Sequence, residues 1–590
     1  MSFLRPKIRR PGFAYQSVIE ALEERCVPSV DPIMDWNAVA IEVNRLSYSS
    51  GVVNDQPGPT RSSRALAIVH VAMFDAWNSI HRTYNPYLVQ APNFTNASDV
   101  AAVSQAAHDT LVAMYPHQKA FIDSNLTQSL AKVPNGLKET RGINVGKFVA
   151  QKILVARTND GSEVAGEYVA DGQPGHHAKD PLNLGQPFLT PAWGEVTPFG
   201  IPSTDAIPTP TVPSLTSDEY TQAYSQVMEL GEELSTERTT DQTEIGIYWG
   251  YDVANGLGDP PRLYNQIARI IAIQEGNTVA ENARMLTLIN VAMADAGIQG
   301  WGVKYRDEFW RPIVAIRNGD ADGNEETAGN EDWSPLGAPL SNPLSPGEDI
   351  NFTPPFPAYT SGHAAFGAAT FKTMQNFYQT DDISFSIPFD FVSDEFNGWT
   401  TDIHEMIPDL VLDHVRENRP RHFDSFSQAA AENAASRIFL GIHWRFDATE
   451  GVSAGNRIAD YNFDHVMRPR SGRSPTHVAS VDFESQIDAY LDGSYVNSSA
   501  AICSDIIEAI VTPGRLKNQN LEEMTSPFVH EIMTDLMASS VRFRSLVNLL
   551  DRLAEIDSPS AQSALYKTEA KLRDFLFSSN DFAVKLEILV

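Results

Sequence analysis

Apolar residues recur along most of the chain at the three- and four-residue spacing of amphipathic α-helices. The segment RSSRALAIVHVAMFDAWNSI, for example, places Leu66, Met73 and Trp77 on one stripe. Ser217, ahead of another such segment, is a typical N-cap residue. Strand-like alternation is scarce, and FSIPFDFV is its best example. The pattern therefore predicts an all-α protein built as a helical bundle.

Two long connections rich in Pro and Gly interrupt the helical segments. The first covers residues 170–215, and the second covers residues 318–363. Connections of this length are uncommon in a compact domain unless they serve a function. We expect them to wrap the helical core.

The two ends of the chain differ from its middle. Residues 1–34 start with a basic stretch, lack an apolar core of signal-peptide length, and around LEERCVPSV resemble sorting segments of some exported bacterial proteins. They predict either such a sorting segment in a secreted or exported protein, or a loosely docked arm on a cytoplasmic, soluble one. A polar break at Met467–Ser480 separates a predicted catalytic domain, 35–470, from helices of unknown role, 471–590, whose amphipathic stripes suit a homodimer.

Charge narrows the choice of partners. The chain has 44 lysine and arginine residues against 75 aspartate and glutamate residues, a net charge of −31. Nucleic acid is therefore an unsuitable partner, because its phosphates require a basic surface. No apolar run is long enough to predict a membrane span. Cys26 and Cys503 are far apart and are expected to be free thiols.

The first polar cluster lies in WGVKYRDEFWRP, which holds Lys304 and Arg311 before Pro312. Seven residues apart, the two cations would share one face of a helix and lie roughly 10 Å apart along its axis. Their long side chains could still converge on one small anion. Pro312 disfavours helical geometry at Arg311, so we expect the helix to end there. The alternative is a pair of surface cations paired with Asp307 and Glu308.

The second cluster is PFPAYTSGHAAFGAATF. Thr360 or Ser361 can cap a helix that begins at about Gly362. The free N–H groups and the dipole of a helix N-terminus attract anions, and Gly362 allows one to approach the backbone closely. His363 would then stand beside that anion in the first turn. A capped helix with an exposed histidine is the alternative.

The third cluster, SRIFLGIHWRFD, places cations in an apolar segment that we expect to be one buried helix. A buried charge is unfavourable unless an opposite charge meets it, so Arg437 predicts a bound anion. His443 lies seven residues after Ser436 and four before Asp447, which aligns all three on a helix. Asp447 can then accept the imidazole N–H and leave the other ring nitrogen free as a ligand or nucleophile. A partly buried His–Asp pair without a ligand is the simpler interpretation.

Together the clusters predict one pocket for a tetrahedral oxyanion, with five or more charged hydrogen bonds of roughly 1.5–3 kcal/mol each. The order K-x6-RP, SGH and SR-x5-H-x3-D resembles the signature shared by vanadium-dependent haloperoxidases and type-2 phosphatidic acid phosphatases. The resemblance extends over residues 35–470 and implies the all-α, helical-bundle fold of that superfamily. Thr360 departs from it, because the family usually has proline there.

The resemblance implies a role for each cluster. The catalytic residues would be His363, Lys304 and His443, with His443 as the axial ligand of vanadium and His363 moving protons. Vanadate, which phosphate can replace, would be the cofactor. Its oxygens would be held by Lys304, Arg311, Ser361, Gly362 and Arg437.

Two aromatic residues favour the haloperoxidase branch. Trp301 and Phe356 stand where chloroperoxidase-type members have the aromatic pair of their halide pocket. The alternative is that both are ordinary packing residues. Behind the pocket, the resemblance implies that Asp252 pairs with Arg437 and orients it.

The reaction implied is the oxidation of halide by hydrogen peroxide to hypohalous acid, which then meets small organic acceptors. Two alternatives stay open. One is a phosphatase in which His443 attacks phosphorus and His363 protonates the leaving group. The other is a non-catalytic oxyanion-binding protein, which would need no histidine to transfer protons.

Overall fold

The fold is all-α, as the apolar pattern predicts. The computed structural model describes residues 31–49, 51–92, 96–252, 256–338, 353–382, 389–393, 395, 420–470, 477–478 and 481–495. These residues form fourteen α-helices and one two-stranded sheet. Residues 1–30 and 496–590 lie outside the described residues, and so do most of the predicted sorting segment and the predicted dimer-forming helices.

The helices are numbered here in chain order. Their bounds are α1 (Pro32–Ser47), α2 (Gly58–His81), α3 (Asp99–Met114), α4 (Lys119–Ala131), α5 (Leu137–Ala156), α6 (Asp218–Leu230), α7 (Thr240–Tyr248), α8 (Pro260–Gln274), α9 (Val279–Asp307), α10 (Pro312–Arg317), α11 (Gly362–Tyr378), α12 (Phe426–Phe439), α13 (Arg445–His465) and α14 (Phe483–Leu491). The strands are β1 (Phe389–Val392) and β2 (Pro420–Phe423). They pair antiparallel with Phe389 opposite Phe423, and β1 lies within FSIPFDFV.

Helix α9 is the central element of the core. It has 29 residues and is buried on nearly all sides, as is typical of a helix that is apolar all round. A capping box at Thr278 and Glu281 fixes its start. It packs against α2 on the N-terminal side of the chain, and against α11 and α13 on the C-terminal side. Two helical layers therefore meet at α9, one formed by α2, α3 and α5 and the other by α11, α12 and α13.

Helices α11 and α13 pack unusually closely because glycines of α13 face α11. A Cβ atom at Gly451 would lie 2.7 Å from the carbonyl oxygen of Ser361. A Cβ atom at Gly455 would overlap the carbonyl oxygen of Ala365. The first turn of α11 is thereby held directly against α13.

The connection between α5 and α6 wraps the core, as its length predicts. Asp295, buried in α9, accepts backbone hydrogen bonds from Phe199 at 2.6 Å and Gly200 at 2.8 Å. Just after α9, the carbonyl of Glu308 accepts from the backbone N–H of His177 at 2.6 Å. The connection is thus fixed both to the middle of α9 and to the residue that follows its C-terminus.

The predicted boundaries of the catalytic domain lie close to ordered helices. Helix α1 begins at Pro32, because Asp31 caps it by accepting from the N–H groups of Ile33 and Met34, so the boundary predicted at 35 falls inside α1. Helix α14, beyond the boundary predicted at 470, packs on α12 with Tyr490 and Leu491 buried. The start of the C-terminal region therefore docks on the core.

None of the helices in the described part of the chain is both long and apolar enough to cross a membrane.

Candidate active site

The first cluster lies where α9 ends, and it is not one helical face. Helix α9 ends at Asp307, because Glu308 adopts a left-handed conformation with φ of 52°. Arg311 is the residue before α10, whose first position is Pro312. The prediction that one helix carries both Lys304 and Arg311 is therefore wrong, since the chain turns between them. Both side chains are nevertheless fully buried.

The second cluster starts a helix at the predicted place. Helix α11 begins at Gly362, and the Ser361 hydroxyl caps it by accepting from the N–H of Ala364. The backbone N–H of Ser361 donates to the carbonyl of Asp447 at 2.9 Å, which joins the second cluster to the third. A Cβ atom at Gly362 would lie 3.3 Å from the Trp301 ring, so close packing favours glycine there as well.

The third cluster is two helices with a turn between them, and the prediction of a single helix is wrong. Helix α12 ends at Phe439 and α13 begins at Arg445. Gly441 has φ of +69° and packs against the backbone of Gly231, a conformation and a contact that a larger residue would not allow. His443 therefore lies in a turn that presents its ring to the pocket.

Hydrogen bonds fix the state of His443. Its Nδ1 lies 2.9 Å from Oδ2 of Asp447, and its Nε2 lies 2.9 Å from Nη1 of Arg311. Because a guanidinium can only donate, Nε2 accepts, and Nδ1 carries the proton that is given to Asp447. Burial and the cations Arg311 and Lys304 lower the pKa of His443 well below its usual value. The ring is therefore neutral, with a lone pair on Nε2.

Asp447 supports the same arrangement from the first turn of α13. Its Oδ2 also accepts from the backbone N–H of Trp444 at 3.1 Å. Burial raises the pKa of Asp447 to about 7, against the lowering effects of Trp444 N–H, Lys304 and Arg311. The buried carboxyl is therefore harder to ionise than that of an exposed aspartate.

Arg437 and Arg311 offer N–H groups without partners. Arg437 donates from Nη2 to Oδ2 of Asp252 at 2.7 Å, whereas its Nε and Nη1 have no hydrogen-bond partner among the described residues. Arg311 donates to the carbonyls of Phe356 and Ile442, and its Nη2 is likewise unpaired within the described part of the chain. Both guanidinium groups are fully buried, so these free N–H groups need an acceptor.

Lys304 faces the backbone. Its ammonium donates to three carbonyl oxygens in the turn before α11. It also lies 5.2 Å from the centre of the Phe356 ring and 5.5 Å from that of Trp301. Burial and Arg311 lower the pKa of Lys304 well below its usual value. The three acceptor carbonyls belong to Pro357, Ala358 and Thr360.

His363 lies in the first turn of α11 and is almost fully buried. Its Nε2 donates to the carbonyl of Gly250 at 2.7 Å, and lies 3.8 Å from Oδ1 of Asp252. This hydrogen bond leaves Nδ1 as the acceptor of the ring. Burial and the Arg437 cation lower the pKa of His363 to about 4. The side chain is therefore neutral above that pH and able to take up a proton.

Four of these polar residues, together with Gly362, line a cavity of about 360 Å³. Trp301 and Phe356 form part of its wall, with ring centres 4.7 Å apart. Lys304, Arg311, Ser361 and Asp447 do not line it. Prolines contribute much of the remaining wall, namely Pro57, Pro59, Pro187, Pro260, Pro354 and Pro355. The polar inner end consists of Asp252, His363, Arg437 and His443, beside Gly362.

The inner end suits a small oxyanion. The cations Lys304, Arg311 and Arg437 face two carboxylates, Asp252 and Asp447, so positive charge is in excess. The unpaired guanidinium N–H groups are donors and can only be satisfied by an acceptor. The lone pair on Nε2 of His443 adds one electron-pair donor to this set. Tetrahedral oxyanions such as vanadate and phosphate match these features.

The sequence did not single out every residue of this wall. Gln186, Pro187 and Leu189 of the α5–α6 connection line the cavity, as does Tyr48 after α1. Their placement depends on contacts such as the hydrogen bond from Leu189 N–H to the carbonyl of Pro355 at 3.0 Å. Only the unusual length of the connection signalled a function at this point.

Helical bundles around a buried oxyanion pocket define the class of this protein. Comparison of sequences then identifies its family. The family model for the N-terminal domain of vanadium chloroperoxidase matches residues 21–181, and that for its second helical-bundle domain matches residues 284–472. Vanadium chloroperoxidase of Curvularia inaequalis is 34% identical over 494 residues, which are 70% of this chain and 79% of that protein. The chain therefore belongs to the vanadium chloroperoxidase family.

Solved structures share the fold. A bacterial vanadium-dependent iodoperoxidase superimposes with a TM-score of 0.59 at 20% identity, over 75% of this chain and 98% of that one. The holo form of a bacterial vanadium-dependent chloroperoxidase gives a TM-score of 0.53 at 16% identity, over 76% of this chain and 96% of that one. At these identities the likeness concerns the arrangement of helices.

Proposed function

We propose that this chain is a vanadate-dependent haloperoxidase, which oxidises halide with hydrogen peroxide to hypohalous acid. Membership of the vanadium chloroperoxidase family supports the activity. The observation that carries it to this chain is the set of buried, unpaired guanidinium N–H groups next to a neutral histidine whose Nε2 is an acceptor. We propose that residues 35–470 form the catalytic domain.

The residues present fit vanadate as cofactor. We assign its oxygens to the free N–H groups of Arg311 and Arg437, the N-terminus of α11 at Ser361 and Gly362, and Lys304. His443 would be the ligand of vanadium through Nε2, which already accepts a hydrogen bond in this structure. Bound vanadate would supply a Lewis acid that activates hydrogen peroxide toward halide. Phosphate has the same tetrahedral donor requirements, so we propose that it competes for the same place.

We assign His443 and Asp447 a shared function. The hydrogen bond from Nδ1 to Asp447 holds the ring in the tautomer that leaves Nε2 unprotonated, and limits its rotation. The neighbouring cations keep the ring neutral by lowering its pKa. His443 can therefore act as an electron-pair donor over a wide range of pH.

His363 is proposed to move protons during turnover. It is neutral in the pocket, donates from Nε2 to the Gly250 carbonyl, and so has Nδ1 available to accept a proton. A negative charge at the inner end of the cavity would raise its low pKa toward neutrality. Peroxide must lose protons as it becomes reactive, and His363 is the titratable group placed to receive one.

Lys304 is proposed to act first through its charge. Its ammonium is held by backbone carbonyls, and from there its positive potential lowers the pKa of His443. Direct contact between Lys304 and an oxygen of the cofactor stays a prediction. Such contact would require the ammonium to release one of its three carbonyls.

We propose chloride as a substrate because of the wall beside the cations. Trp301 and Phe356 form an apolar surface with edges that carry partial positive charge, next to Lys304 and the oxyanion pocket. A halide, with its single charge, loses less hydration free energy on entering such a surface than a multiply charged oxyanion does. The proline-rich outer wall would then suit small organic acceptors of the hypohalous acid.

The decisive experiment is halogenation of a phenolic or diketone dye with hydrogen peroxide. The full chain would be assayed with and without orthovanadate, in chloride and in bromide, beside hydrolysis of p-nitrophenyl phosphate. We expect halogenation that requires orthovanadate and that phosphate suppresses. Phosphate release that orthovanadate inhibits, without halogenation, would instead establish the phosphatase alternative, in which His443 is the nucleophile. Oxyanion binding without either activity would leave the non-catalytic alternative.

A further inference from the structure

A second, smaller cavity adjoins Arg311, and we call it the side chamber. His177, Gln186, Thr353 and Arg311 contribute polar side chains to its wall, together with Asp180. It has room for about one water molecule. Gln186 lines both the side chamber and the large cavity, so the two spaces are neighbours.

The side chamber collects polar atoms without partners. Within the described part of the chain, no hydrogen bond reaches either ring nitrogen of His177, either amide atom of Gln186, Oγ1 of Thr353 or Nη2 of Arg311. These side chains are deeply buried, with 2%, 7%, 2% and 0% of their residue surface exposed, respectively. Leaving a buried polar group unsatisfied is unfavourable, so a bound molecule that satisfies several at once is favoured.

His177 is held in place and cannot simply turn away. Its backbone N–H donates to the carbonyl of Glu308 at 2.6 Å, and its own carbonyl accepts from the hydroxyl of Tyr168 at 2.9 Å. Its ring packs against Tyr168 and Phe188, with ring centres at 5.9 and 5.4 Å. The imidazole is therefore fixed at the wall of the side chamber by packing, while its nitrogens stay unpaired.

The chemistry of the wall selects the ligand. Burial and the nearby Arg311 and Lys304 cations keep His177 neutral by lowering its pKa, so one ring nitrogen donates and the other accepts. Gln186 likewise offers a donor and an acceptor, whereas Arg311 offers donors only. A halide cannot satisfy the acceptors, and the Asp180 carboxyl in the wall disfavours any anion. A small neutral molecule with O–H groups satisfies both kinds.

We propose that the side chamber binds one small hydroxylic molecule, water or hydrogen peroxide, between His177, Gln186, Thr353 and one of the two N–H groups on Nη2 of Arg311, which leaves the other for the oxyanion. His177 and Gln186 thereby become positioning residues for the guanidinium that faces the oxyanion. Without the bound molecule, Arg311 would reorient toward these unpaired acceptors and away from the pocket. The inference rests on the proposed function only in that Arg311 holds an oxyanion.

The test uses the full chain and two variants that remove hydrogen bonds at nearly constant shape, Gln186→Leu and His177→Phe. Orthovanadate and orthophosphate binding would be measured by calorimetry. We expect the dissociation constants to rise about tenfold in both variants, the effect of one well-placed hydrogen bond to a charged group. His177→Gln, which keeps a donor and an acceptor, should stay within about threefold. Ile313→Val, in the apolar wall of the same chamber, is the matched control and should leave binding unchanged.

The crystal structure of the unmodified chain gives a second, independent measurement, which no folding defect of a variant can confuse. We expect density for one molecule within hydrogen-bonding distance of Gln186 and Arg311. An empty chamber, or a Gln186→Leu variant that folds and binds orthovanadate as tightly as the unmodified chain, would overturn the inference while leaving the proposed function intact. If the unmodified chain binds neither orthovanadate nor orthophosphate, the inference and the proposed function both fail.

The identity of the hydroxylic molecule follows from kinetics at saturating orthovanadate. A higher KM for hydrogen peroxide in Gln186→Leu than in Ile313→Val would assign the side chamber to peroxide. An equal KM in these two variants, together with weaker orthovanadate binding by Gln186→Leu, would assign it to water. Either result supports the hydroxylic site.

Discussion

Single residues of the pocket are held in defined protonation states before any anion arrives. His443 shows this most directly, because Asp447 takes its Nδ1 proton and Arg311 identifies Nε2 as the acceptor. Little free energy is therefore lost in reorienting the imidazole ring when a ligand binds. The consequence can be tested by removing the ring.

His443→Ala should abolish orthovanadate-dependent halogenation, since the electron-pair donor is lost. Orthophosphate should still bind, weakened by roughly ten- to a hundredfold, because Arg311 and Arg437 keep their free N–H groups. Titration of orthovanadate into the variant, with the dye assay as readout, checks the first part, and calorimetry with phosphate checks the second. Normal halogenation by this variant would remove His443 from the mechanism.

The low pKa of His363 predicts how oxyanion binding depends on pH. The free ring is neutral above pH of about 4, and a bound oxyanion raises the pKa above that value. Binding then takes up a proton between the two pKa values, so orthophosphate affinity should rise as the pH falls through this window and level off below about 4. His363→Gln should lose this rise. Phosphate itself titrates equally in both experiments. The ratio of the affinities of the unmodified chain and His363→Gln at each pH therefore cancels its contribution.

Gly362 connects the oxyanion pocket to the halide wall. Gly362→Ala should push the Trp301 ring, which would lie 3.3 Å from the new Cβ atom, and disturb its packing on Phe356. We expect the KM for chloride to rise by about two- to tenfold, in line with a shift of roughly 1 kcal/mol in a packed contact. Gly300→Ala is the control, since its Cβ atom would meet only Thr360 at 4.0 Å. Equal chloride kinetics in the two variants would argue against a halide site at Trp301.

At the scale of elements, the crossing of α11 and α13 sets the shape of the pocket. The hydrogen bond from Ser361 N–H to the Asp447 carbonyl ties the start of one helix to the start of the other. Gly451 and Gly455 allow this approach because any side chain there would meet backbone carbonyls of the α11 segment. The two clusters they carry are therefore placed by one packing interface.

Gly455→Ala should lower stability and oxyanion affinity together. The added methyl group overlaps the carbonyl of Ala365 and forces the helices apart, at a cost of about 1–3 kcal/mol in the free energy of unfolding. Urea denaturation measures the first effect and phosphate calorimetry the second. Ser453→Ala, on the more exposed side of α13, should change stability by less than about 0.5 kcal/mol. A stable Gly455→Ala variant with weakened binding alone would contradict the packing argument.

The sequence predicted elements well where local forces decide and less well where distant contacts do. The N-cap at Ser217, the start of α11 and the strand within FSIPFDFV follow from local pattern. The break in SRIFLGIHWRFD does not, because it depends on Gly441 packing against Gly231 from another part of the chain. The end of α9 at Asp307 likewise depends on a left-handed Glu308, for which the sequence gives no signal.

The residues of the candidate site, like the helices, could be predicted only in part from the sequence. Motif spacing selects the main polar residues that the structure gathers around the pocket. Asp252, which pairs with Arg437 at 2.7 Å, came only from the family resemblance, since it lies far from Arg437 in sequence. It could not select Gln186 or His177, which come from an irregular connection without periodicity. Nor could it show that the Lys304 ammonium rests on backbone carbonyls, since those carbonyls belong to a turn with no distinctive side chains.

The whole molecule carries a net charge that opposes its proposed substrates. At −31, the chain repels orthovanadate and halide over a distance set by ionic strength, although the pocket itself has excess positive charge. The association rate of orthovanadate should therefore increase, by about two- to tenfold, as a non-competing salt is raised from about 10 to 150 mM. Stopped-flow binding measurements check this. A rate that falls with salt would mean that a local positive field at the cavity mouth outweighs the net charge.

The cavity draws its inner and outer parts from different kinds of structure. Helix ends and the turns beside them supply the residues that face the oxyanion, whereas irregular connections supply much of the proline-rich mouth. Connections tolerate substitution and changes of length far better than packed helix ends do. Selection can therefore reshape the mouth, and with it the range of organic molecules admitted, while the chemistry at the inner end is inherited unchanged.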